Sequence, residues 1–265
     1  MNRIDELFQK KQGSVLSVYF TAGYPEINDT NLIISGLEKA GADLIEIGFP
    51  FSDPVADGPV IQASSHQSIL NGMNLDILFD QLQQINKSSN IPKILMGYFN
   101  TVYQYSIERF ISRCQECNIS GVIIPDLPPE VYNKDYRKLF ESAGIHFICL
   151  VAPKTSPERM KYLESLSGGF IYRLSSSSTT GNKLSLDMNN AMGPLMLNIP
   201  SLIGFGIHDR QTFETACSQA NGAIIGTAFI RYLNENIKYD GDPDVENQRS
   251  AMINKICLNF LSQFR

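Results

Sequence analysis

The chain has 265 residues, of which 43% are hydrophobic and 18% charged, and its formal net charge is −5 at pH 7. These proportions are typical of a globular protein and exclude the low-hydropathy, high-charge composition of disordered chains. An acidic chain without a basic tract is poorly suited to nucleic acid or to an anionic membrane surface, which excludes both as expected partners.

Eight short apolar runs, most of them flanked by polar or glycine residues, predict buried parallel strands. They cover residues 14–20, 43–48, 93–98, 121–126, 146–151, 170–175, 201–206 and 222–227. Amphipathic segments predict helices over 2–11, 31–42, 75–85, 106–119, 129–144, 156–166, 209–220, 230–237 and 246–264. A weaker helical pattern covers residues 184–197.

Strands that alternate with helices indicate a parallel β/α architecture, either a closed barrel or an open doubly wound sheet. Eight units in a chain of this length favour the barrel. The lack of a GxGxxG motif after the first run disfavours a dinucleotide-binding open sheet. We therefore predict an α/β protein in which residues 1–265 form a single (β/α)8 TIM barrel domain with extra N-terminal and C-terminal helices.

Cysteine usage and the N-terminal segment predict a cytoplasmic location. The five cysteines are scattered and odd in number, which is unlike a disulfide framework and typical of reduced thiols. The charged N-terminus lacks the apolar core of a signal peptide, and no apolar run reaches the length of about 18 residues that a membrane span requires. The three histidines show no ligand spacing, so we expect no metal.

Acidic residues follow or interrupt the second predicted strand. Glu46 lies in the apolar run 43–48, where a buried carboxylate needs a partner or becomes protonated near neutral pH. We favour a functional role for Glu46 over a salt bridge inside the barrel. Asp53 and Asp57 lie in the next loop, and each taken alone is typical of a turn. Their position above Glu46 would nevertheless bring a second carboxylate to the same pocket.

Small residues are concentrated in the loops after the sixth, seventh and eighth runs. These loops contain residues 175–181, 204–207 and 226–227. Single glycines such as Gly206 and Gly226 could be required only for steric reasons. Three such loops side by side favour a phosphate site, because backbone N–H groups and a helix N-terminus can then approach an anion.

The segment IEIGFPFSDPVADGPVIQ (45–62) closely resembles the signature of the tryptophan synthase alpha subunit family. Weaker matches occur in the expected order at 19–25, 95–100, 121–128, the serine/threonine loop that ends at Gly181, 204–207 and 222–229. The resemblance implies a lyase of tryptophan biosynthesis that cleaves indole-3-glycerol phosphate to indole and glyceraldehyde 3-phosphate by a retro-aldol reaction. It implies that Glu46 is the general acid and base, and that Asp57 stabilises the charge that develops at the indole nitrogen.

The remaining site residues are implied by the same resemblance. The substrate pocket would contain Tyr19, Met96, Tyr98, Ile123, Tyr172 and Ile224. The phosphate contacts would come from Gly181, Gly204, Gly206, Gly226 and Thr227. The partner interface would include Asp53, Pro54, Asn100 and Asp126. Three positions depart from the family pattern: Ser178 replaces a usual glycine of the lid loop, Thr227 a serine, and Tyr19 a phenylalanine of some members.

The family further implies a beta subunit as partner, in an alpha–beta–beta–alpha heterotetramer that passes indole between subunits. This chain would carry no cofactor, and pyridoxal phosphate would belong to the beta subunit. Three alternatives stay open: a stand-alone indole-glycerol-phosphate lyase, a catalytically weak barrel that acts as allosteric partner, and another phosphate-binding barrel isomerase. The match at 45–62 disfavours the last.

Overall fold

The computed structural model describes residues 1–11, 13–174, 197–204, 206–237 and 245–265. In these ranges, parallel strands form one sheet at the centre of the molecule. The strands are β1 (Val15–Thr21), β2 (Leu44–Gly48), β3 (Lys93–Met96), β4 (Gly121–Ile123), β5 (His146–Phe147), β6 (Leu150–Val151), β7 (Ile171–Leu174), β8 (Ser201–Gly204) and β9 (Gly222–Ile225). Their order in the sheet is β5-β4-β3-β2-β1-β9-β8-β7-β6.

The sheet closes through the fifth apolar run, which contributes both of its outer strands. β5 pairs with β4, and β6 pairs with β7. Between them, the N–H of Ile148 donates to the carbonyl of Val122 at 3.0 Å, and the carbonyl of Cys149 accepts from Tyr172 at 3.0 Å. The run therefore divides into two strands because each half bonds to a different neighbour. The predicted eight-unit TIM barrel is confirmed.

Helices surround the barrel and follow most of the predicted segments. They are α1 (Arg3–Lys10), α2 (Asp29–Ala40), α3 (Pro59–Leu70), α4 (Leu75–Ile85), α5 (Phe99–Tyr105), α6 (Ile107–Glu116), α7 (Pro129–Val131), α8 (Arg137–Ser142), α9 (Pro157–Leu166), α10 (Arg210–Cys217), α11 (Thr227–Asn236) and α12 (Val245–Leu261). A π-helical turn at Tyr132–Tyr136 joins α7 to α8, and a 3₁₀ turn at Ser262–Phe264 follows α12. Within the described ranges, no helix combines the length and apolar character needed to cross a membrane.

The sequence pattern did not predict two of these helices, α3 and α5. The buried residues of α3 are Ser64, Ser65 and Ser68, so an apolar helical period is missing from its sequence. The seven-residue α5 is too short to show such a period. The weak pattern at 184–197 lies outside the described residues except for its last position.

Side chains that alternate along each strand separate an interior apolar cluster from a larger cluster under the helices. On β1, Val15 and Tyr19 belong to the interior, whereas Val18 packs outside. Ile4 and Phe8 of α1 join the interior cluster and cover the amino end of the barrel. The carboxyl ends of the strands are therefore where a substrate can enter. We propose that residues 1–265 form one domain, since the sheet draws strands from both halves of the chain.

Lys93 is a buried cation at the start of β3. Lys93 is the first residue of β3, so it lies at the amino end of the strand and away from the open end of the barrel. Ile94 and Met96, further along the strand, contribute to the interior cluster. Its Nζ donates to the carbonyl of Ile91 at 3.4 Å. Burial, reinforced by the positive charge of Arg3, lowers the pKa of Lys93 to about 8. Lys93 therefore places a destabilising charge at the buried start of β3.

Replacement of Lys93 by methionine is expected to stabilise the fold by about 1–3 kcal/mol near neutral pH, because desolvation of the charged form is removed. The folded-state pKa of about 8 lies below the ordinary lysine pKa of 10.5, so wild-type stability rises with pH between these values. The advantage of Lys93→Met should therefore shrink with increasing pH. Urea unfolding at about pH 7 and about pH 10 measures this, with exposed Lys39→Met as control. An equal advantage at both pH values would contradict the expectation.

Candidate active site

Glu46 is a fully buried carboxyl group on the interior face of β2. Ile45 and Ile47 pack outside the barrel, so alternation turns Glu46 inward. Its Oε1 accepts a hydrogen bond from Oγ of Ser17 at 2.9 Å, whereas Oε2 meets no hydrogen-bond partner in the described part of the chain. Burial raises the pKa of Glu46 to about 8, against the lowering effect of the Ser17 hydrogen bond. The group is therefore mainly protonated at neutral pH.

Asp57 lies in the loop after β2 and is less buried than Glu46. Tyr98 donates its hydroxyl hydrogen to Oδ2 of Asp57 at 3.2 Å, and the N–H of Ala56 donates to the Tyr98 oxygen at 2.9 Å. The ring of Phe51 stacks on Tyr98 with a centroid distance of 5.0 Å. Burial raises the pKa of Asp57 to about 6, opposed by the Tyr98 hydrogen bond. Asp57 is therefore mainly ionised at neutral pH, unlike Glu46.

Both carboxyl groups face the same two tyrosines. Burial raises the pKa values of Tyr19 and Tyr172, and the negative charges of Glu46 and Asp57 raise them further. Tyr19 is paired in register with Glu46 on the neighbouring strand. The structure thus brings together an acid that is largely neutral and one that is largely charged, with phenols beside them. Such a pair can divide proton transfer from charge stabilisation.

Two glycines make room for these tyrosines. The Tyr19 hydroxyl lies too close to Gly48 for a Cβ atom there, and the Tyr172 hydroxyl has the same relation to Gly204. Glycine is therefore required at the carboxyl ends of β2 and β8, where each tyrosine crosses to the next strand. Gly204 is predicted as a phosphate contact, and whether or not it binds phosphate it provides the space for the Tyr172 hydroxyl.

A small cavity opens beside Asp57 at the carboxyl ends of the strands. Its lining residues are Tyr19, Thr21, Phe49, Phe51, Pro54, Asp57, Ser65, Met96, Gly97, Tyr98 and Pro125. Five predicted site residues, Tyr19, Pro54, Asp57, Met96 and Tyr98, therefore line one cavity. The other predicted pocket residues, Ile123, Tyr172 and Ile224, lie in the interior cluster that Met96 packs against.

Sequence reasoning missed Ser17 and the aromatic lining residues Phe49 and Phe51. For Ser17 a signal was available, because it lies two positions before Tyr19 and so shares its face of β1. Phe49 and Phe51 lie in a proline-rich loop, where no periodicity indicates which side chains face the cavity.

The ends of β8 and β9 provide backbone groups for an anion. Gly226 is the N-cap of α11 and Thr227 its first residue, and no side chain caps this helix end. Its first N–H groups are therefore available to a negatively charged ligand. Gly206 has a φ of 78°, in the left-handed region that favours glycine, just after β8. The predicted contact Gly181 and the substituted position Ser178 lie outside the described residues.

The residues predicted for a partner interface lie on the same rim of the barrel. Asp53, Asn100 and Asp126 are exposed, and Pro54 is half-buried. An oxygen of Asp126 accepts from the N–H of Phe99 at 2.8 Å, which joins the loops after β3 and β4. The neighbouring Val55 is an apolar side chain with 86% exposure. In the described ranges, His, Cys, Asp and Glu residues form no group of three or more that could hold a metal.

Comparisons with known proteins agree on one family. The family model described as tryptophan synthase alpha chain matches residues 6–257. The tryptophan synthase alpha chain of Flavobacterium johnsoniae is 50% identical over 241 residues, which cover 89% of this chain and 95% of that protein. The crystal structure of tryptophan synthase subunit alpha from Legionella pneumophila matches with a TM-score of 0.81 at 28% identity, covering 100% of this chain and 98% of that one. A tryptophan synthase complex from Pyrococcus furiosus contains a chain matching at TM-score 0.79 and 26% identity, over 95% and 98% of the two chains.

Substitution of Tyr98 by phenylalanine is expected to raise the pKa of Asp57 above 6 by about 0.5–1 unit, because the carboxylate loses a hydrogen-bond donor. Carbon-13 NMR titration of the labelled aspartate carboxyl groups, assigned with Asp57→Asn, measures the shift. Tyr103→Phe, which alters an exposed tyrosine of α5, is the matched control. An unchanged Asp57 titration in Tyr98→Phe would show that this hydrogen bond does not influence the carboxylate.

Proposed function

The chain belongs to the tryptophan synthase alpha chain family, and we propose that Glu46 and Asp57 are the residues that perform the family's reaction in it. It is a lyase of tryptophan biosynthesis, and its reaction is the retro-aldol cleavage of indole-3-glycerol phosphate to indole and glyceraldehyde 3-phosphate. The observation that carries the residue assignment is the pair of carboxyl groups with pKa values of about 8 and about 6, both facing Tyr19 and Tyr172.

Glu46 transfers protons at two atoms of the substrate. In its neutral form it protonates C3 of the indole ring, which places a positive charge on the ring system. The resulting carboxylate then accepts the proton of the side-chain hydroxyl next to C3. As the carbonyl of glyceraldehyde 3-phosphate forms, the carbon–carbon bond breaks and its electron pair restores the aromatic indole. Glu46 ends the cycle protonated, so one residue of raised pKa serves both steps.

Asp57 stabilises the charge between these two steps. Once C3 is protonated, the positive charge is shared with the ring nitrogen, and an ionised carboxylate there lowers the energy of the intermediate. Tyr98 supports this state because its hydrogen bond favours the charged form of Asp57. Unlike Glu46, Asp57 has to keep its negative charge throughout.

The rest of the pocket divides into an aromatic and an anionic part. We assign the flat indole ring to the apolar and aromatic residues at the carboxyl ends of the strands. These are Tyr19, Met96, Tyr98, Ile123, Tyr172 and Ile224. The phosphate belongs at the uncapped start of α11, with Gly204, Gly206, Gly226 and Thr227 around it. Since the protein is acidic overall, this local arrangement rather than net charge has to attract the substrate.

We also propose a beta subunit of tryptophan synthase as the partner, in an alpha–beta–beta–alpha heterotetramer. Family membership and the solved complex from Pyrococcus furiosus support a partner of this kind. The exposed rim of Asp53, Pro54, Asn100 and Asp126 adjoins the cavity, so a subunit bound there could receive indole directly. Pyridoxal phosphate on that subunit, the absence of a cofactor in this chain and a cytoplasmic location stay predictions.

The division of roles predicts a bell-shaped pH dependence of kcat/KM for indole release. Activity is expected to rise through about pH 6 as Asp57 ionises, and to fall through about pH 8 as Glu46 loses its transferable proton. Steady-state rates across this range, with indole quantified directly, measure both limbs. A rate that stays constant from about pH 6 to about pH 10 would contradict the assignment of Glu46 as the acid.

Replacement of Glu46 by glutamine is expected to lower kcat by about 10²–10⁴-fold, because the amide can neither give nor accept the proton. Indole release from indole-3-glycerol phosphate, measured with and without a purified beta subunit, is the readout. The control is Glu116→Gln at the exposed end of α6. Near-normal indole release by Glu46→Gln under both conditions would overturn the assignment.

A Val55→Glu substitution is expected to weaken binding to the beta subunit by at least about tenfold, since it places a charge in an apolar contact. Isothermal titration calorimetry gives the dissociation constant. Leu258→Glu is the matched control, because Leu258 is also an exposed apolar residue but lies on α12. Equal weakening by both substitutions would show that the rim around Val55 is not the interface.

A further inference from the structure

Ser17 and Glu46 form a polar pair inside the otherwise apolar barrel. Both residues are fully buried, on adjacent strands β1 and β2. The hydroxyl of Ser17 donates to Oε1 of Glu46 at 2.9 Å, and the described part of the chain offers no other hydrogen-bond partner to that hydroxyl. The second oxygen, Oε2, is buried without a partner. The carboxyl group is thus held by one oxygen, and the other is left for a ligand.

This arrangement distinguishes the two oxygens when Glu46 is neutral. A proton on Oε1 would compete with the Ser17 hydrogen for the same contact and leave a buried donor unsatisfied. A proton on Oε2 keeps Oε1 as the carbonyl acceptor of the Ser17 bond. In the free protein a proton on Oε2 also lacks an acceptor among the described residues, but a ligand at Oε2 supplies one, so the neutral acid carries its proton on Oε2 when the site is occupied. In the ionised form the same Ser17 bond stabilises the charge, so the contact persists in both states.

We infer that Ser17 is a positioning residue, which fixes the orientation of the Glu46 carboxyl group and assigns the transferable proton to Oε2. This inference rests on the proposed function, in which Glu46 donates and accepts the proton. It adds a residue that does not itself touch the substrate but decides which oxygen does. Serine suits the position because its short side chain places the hydroxyl within hydrogen-bond distance of Glu46 on the neighbouring strand.

The groups that face Glu46 make the Ser17 hydrogen bond important for the charge state of Glu46. Among the described residues, the titratable groups coupled to it are Tyr19 on β1 and Tyr172 on β7, which also experience the charge of Asp57, and none of these groups carries a positive charge. The strands β3 and β9 contribute Ile94, Met96 and Ile224 to the same interior cluster. Lys93 lies at the amino end of β3. In the part of the chain that the structure describes, Ser17 is therefore the side chain that supports the charged form of Glu46.

Titration of Glu46 itself tests the inference without reference to activity. The infrared band of its neutral carboxyl group is isolated by subtraction of the Glu46→Gln spectrum and followed with pH. In Ser17→Ala the pKa of Glu46 should rise by about 1–2 units, the effect expected for loss of a hydrogen bond to a charged group. Ser17→Thr retains a hydroxyl and should titrate like the wild type.

Kinetics should follow the same pattern. In Ser17→Ala we expect kcat to fall by about ten- to a hundredfold with little change in KM, because the proton is no longer directed towards the substrate. The alkaline limb of the pH profile should move upward by the same 1–2 units, about the shift seen by infrared spectroscopy. Ser17→Thr should restore both. A loss of kcat without a moved limb would indicate a merely structural role and overturn the inference.

Ser68→Ala is the matched control for a lost buried hydrogen bond. Ser68 is fully buried on α3 and donates to the carbonyl of Ala22, with no carboxyl group as partner. It should lower the unfolding temperature as Ser17→Ala does, but leave the Glu46 titration unchanged. An unchanged Glu46 titration in Ser17→Ala would overturn the inference. A wild-type protein that releases no indole would instead contradict the proposed function, while the infrared result still decides the role of Ser17.

Discussion

The desolvation of one carboxyl group inside a closed parallel barrel determines much of this molecule. Every strand of the described sheet is parallel, so the interior receives alternate side chains from each strand and excludes water. Glu46 occupies one of these interior positions, and burial raises its pKa to about 8. A protein that needed only a stable core would have an apolar residue there. Oε2 of Glu46 has no hydrogen-bond partner among the described residues, a cost to folding that the proposed chemistry at this site explains.

The same geometry explains why a second carboxyl group behaves differently. Asp57 lies in a loop at the open end, where solvent reaches it and Tyr98 donates a hydrogen bond. Its pKa of about 6 leaves it charged under conditions in which Glu46 is neutral. Depth in the barrel thus sets the difference in protonation between the two carboxyl groups. The loop holds its shape through the bond from Ala56 to Tyr98 and the stacking of Phe51 on the same ring.

Packing of large side chains in the interior connects the two carboxyl groups to the end of β8, where we propose that the phosphate binds. Tyr19 and Tyr172 extend from β1 and β7 to the glycines of neighbouring strands, Gly48 and Gly204. Their rings lie in the barrel interior, and the negative charges of both acids raise the pKa values of their hydroxyls. A substitution at either glycine would therefore displace a tyrosine and disturb the acids beside it. This coupling is mechanical, because close-packed interiors leave little free volume to absorb a displaced ring.

Local sequence determined the strand runs and most of the helices, and it predicted a functional role for Glu46, because apolar periodicity and a lone acid in an apolar run are visible residue by residue. The signature at 45–62 added the family, and with it specific predicted roles for Asp57 and the late glycines. The helix α3 was not apparent, because its buried face consists of Ser64, Ser65 and Ser68. The division of the fifth run into β5 and β6 was not apparent either, because it depends on which strand lies on each side. Only the tertiary structure decided that Ser17 reaches Glu46 and that Tyr98 reaches Asp57, since hydrogen bonds between residues 29 and 41 positions apart arise from strand register and loop packing.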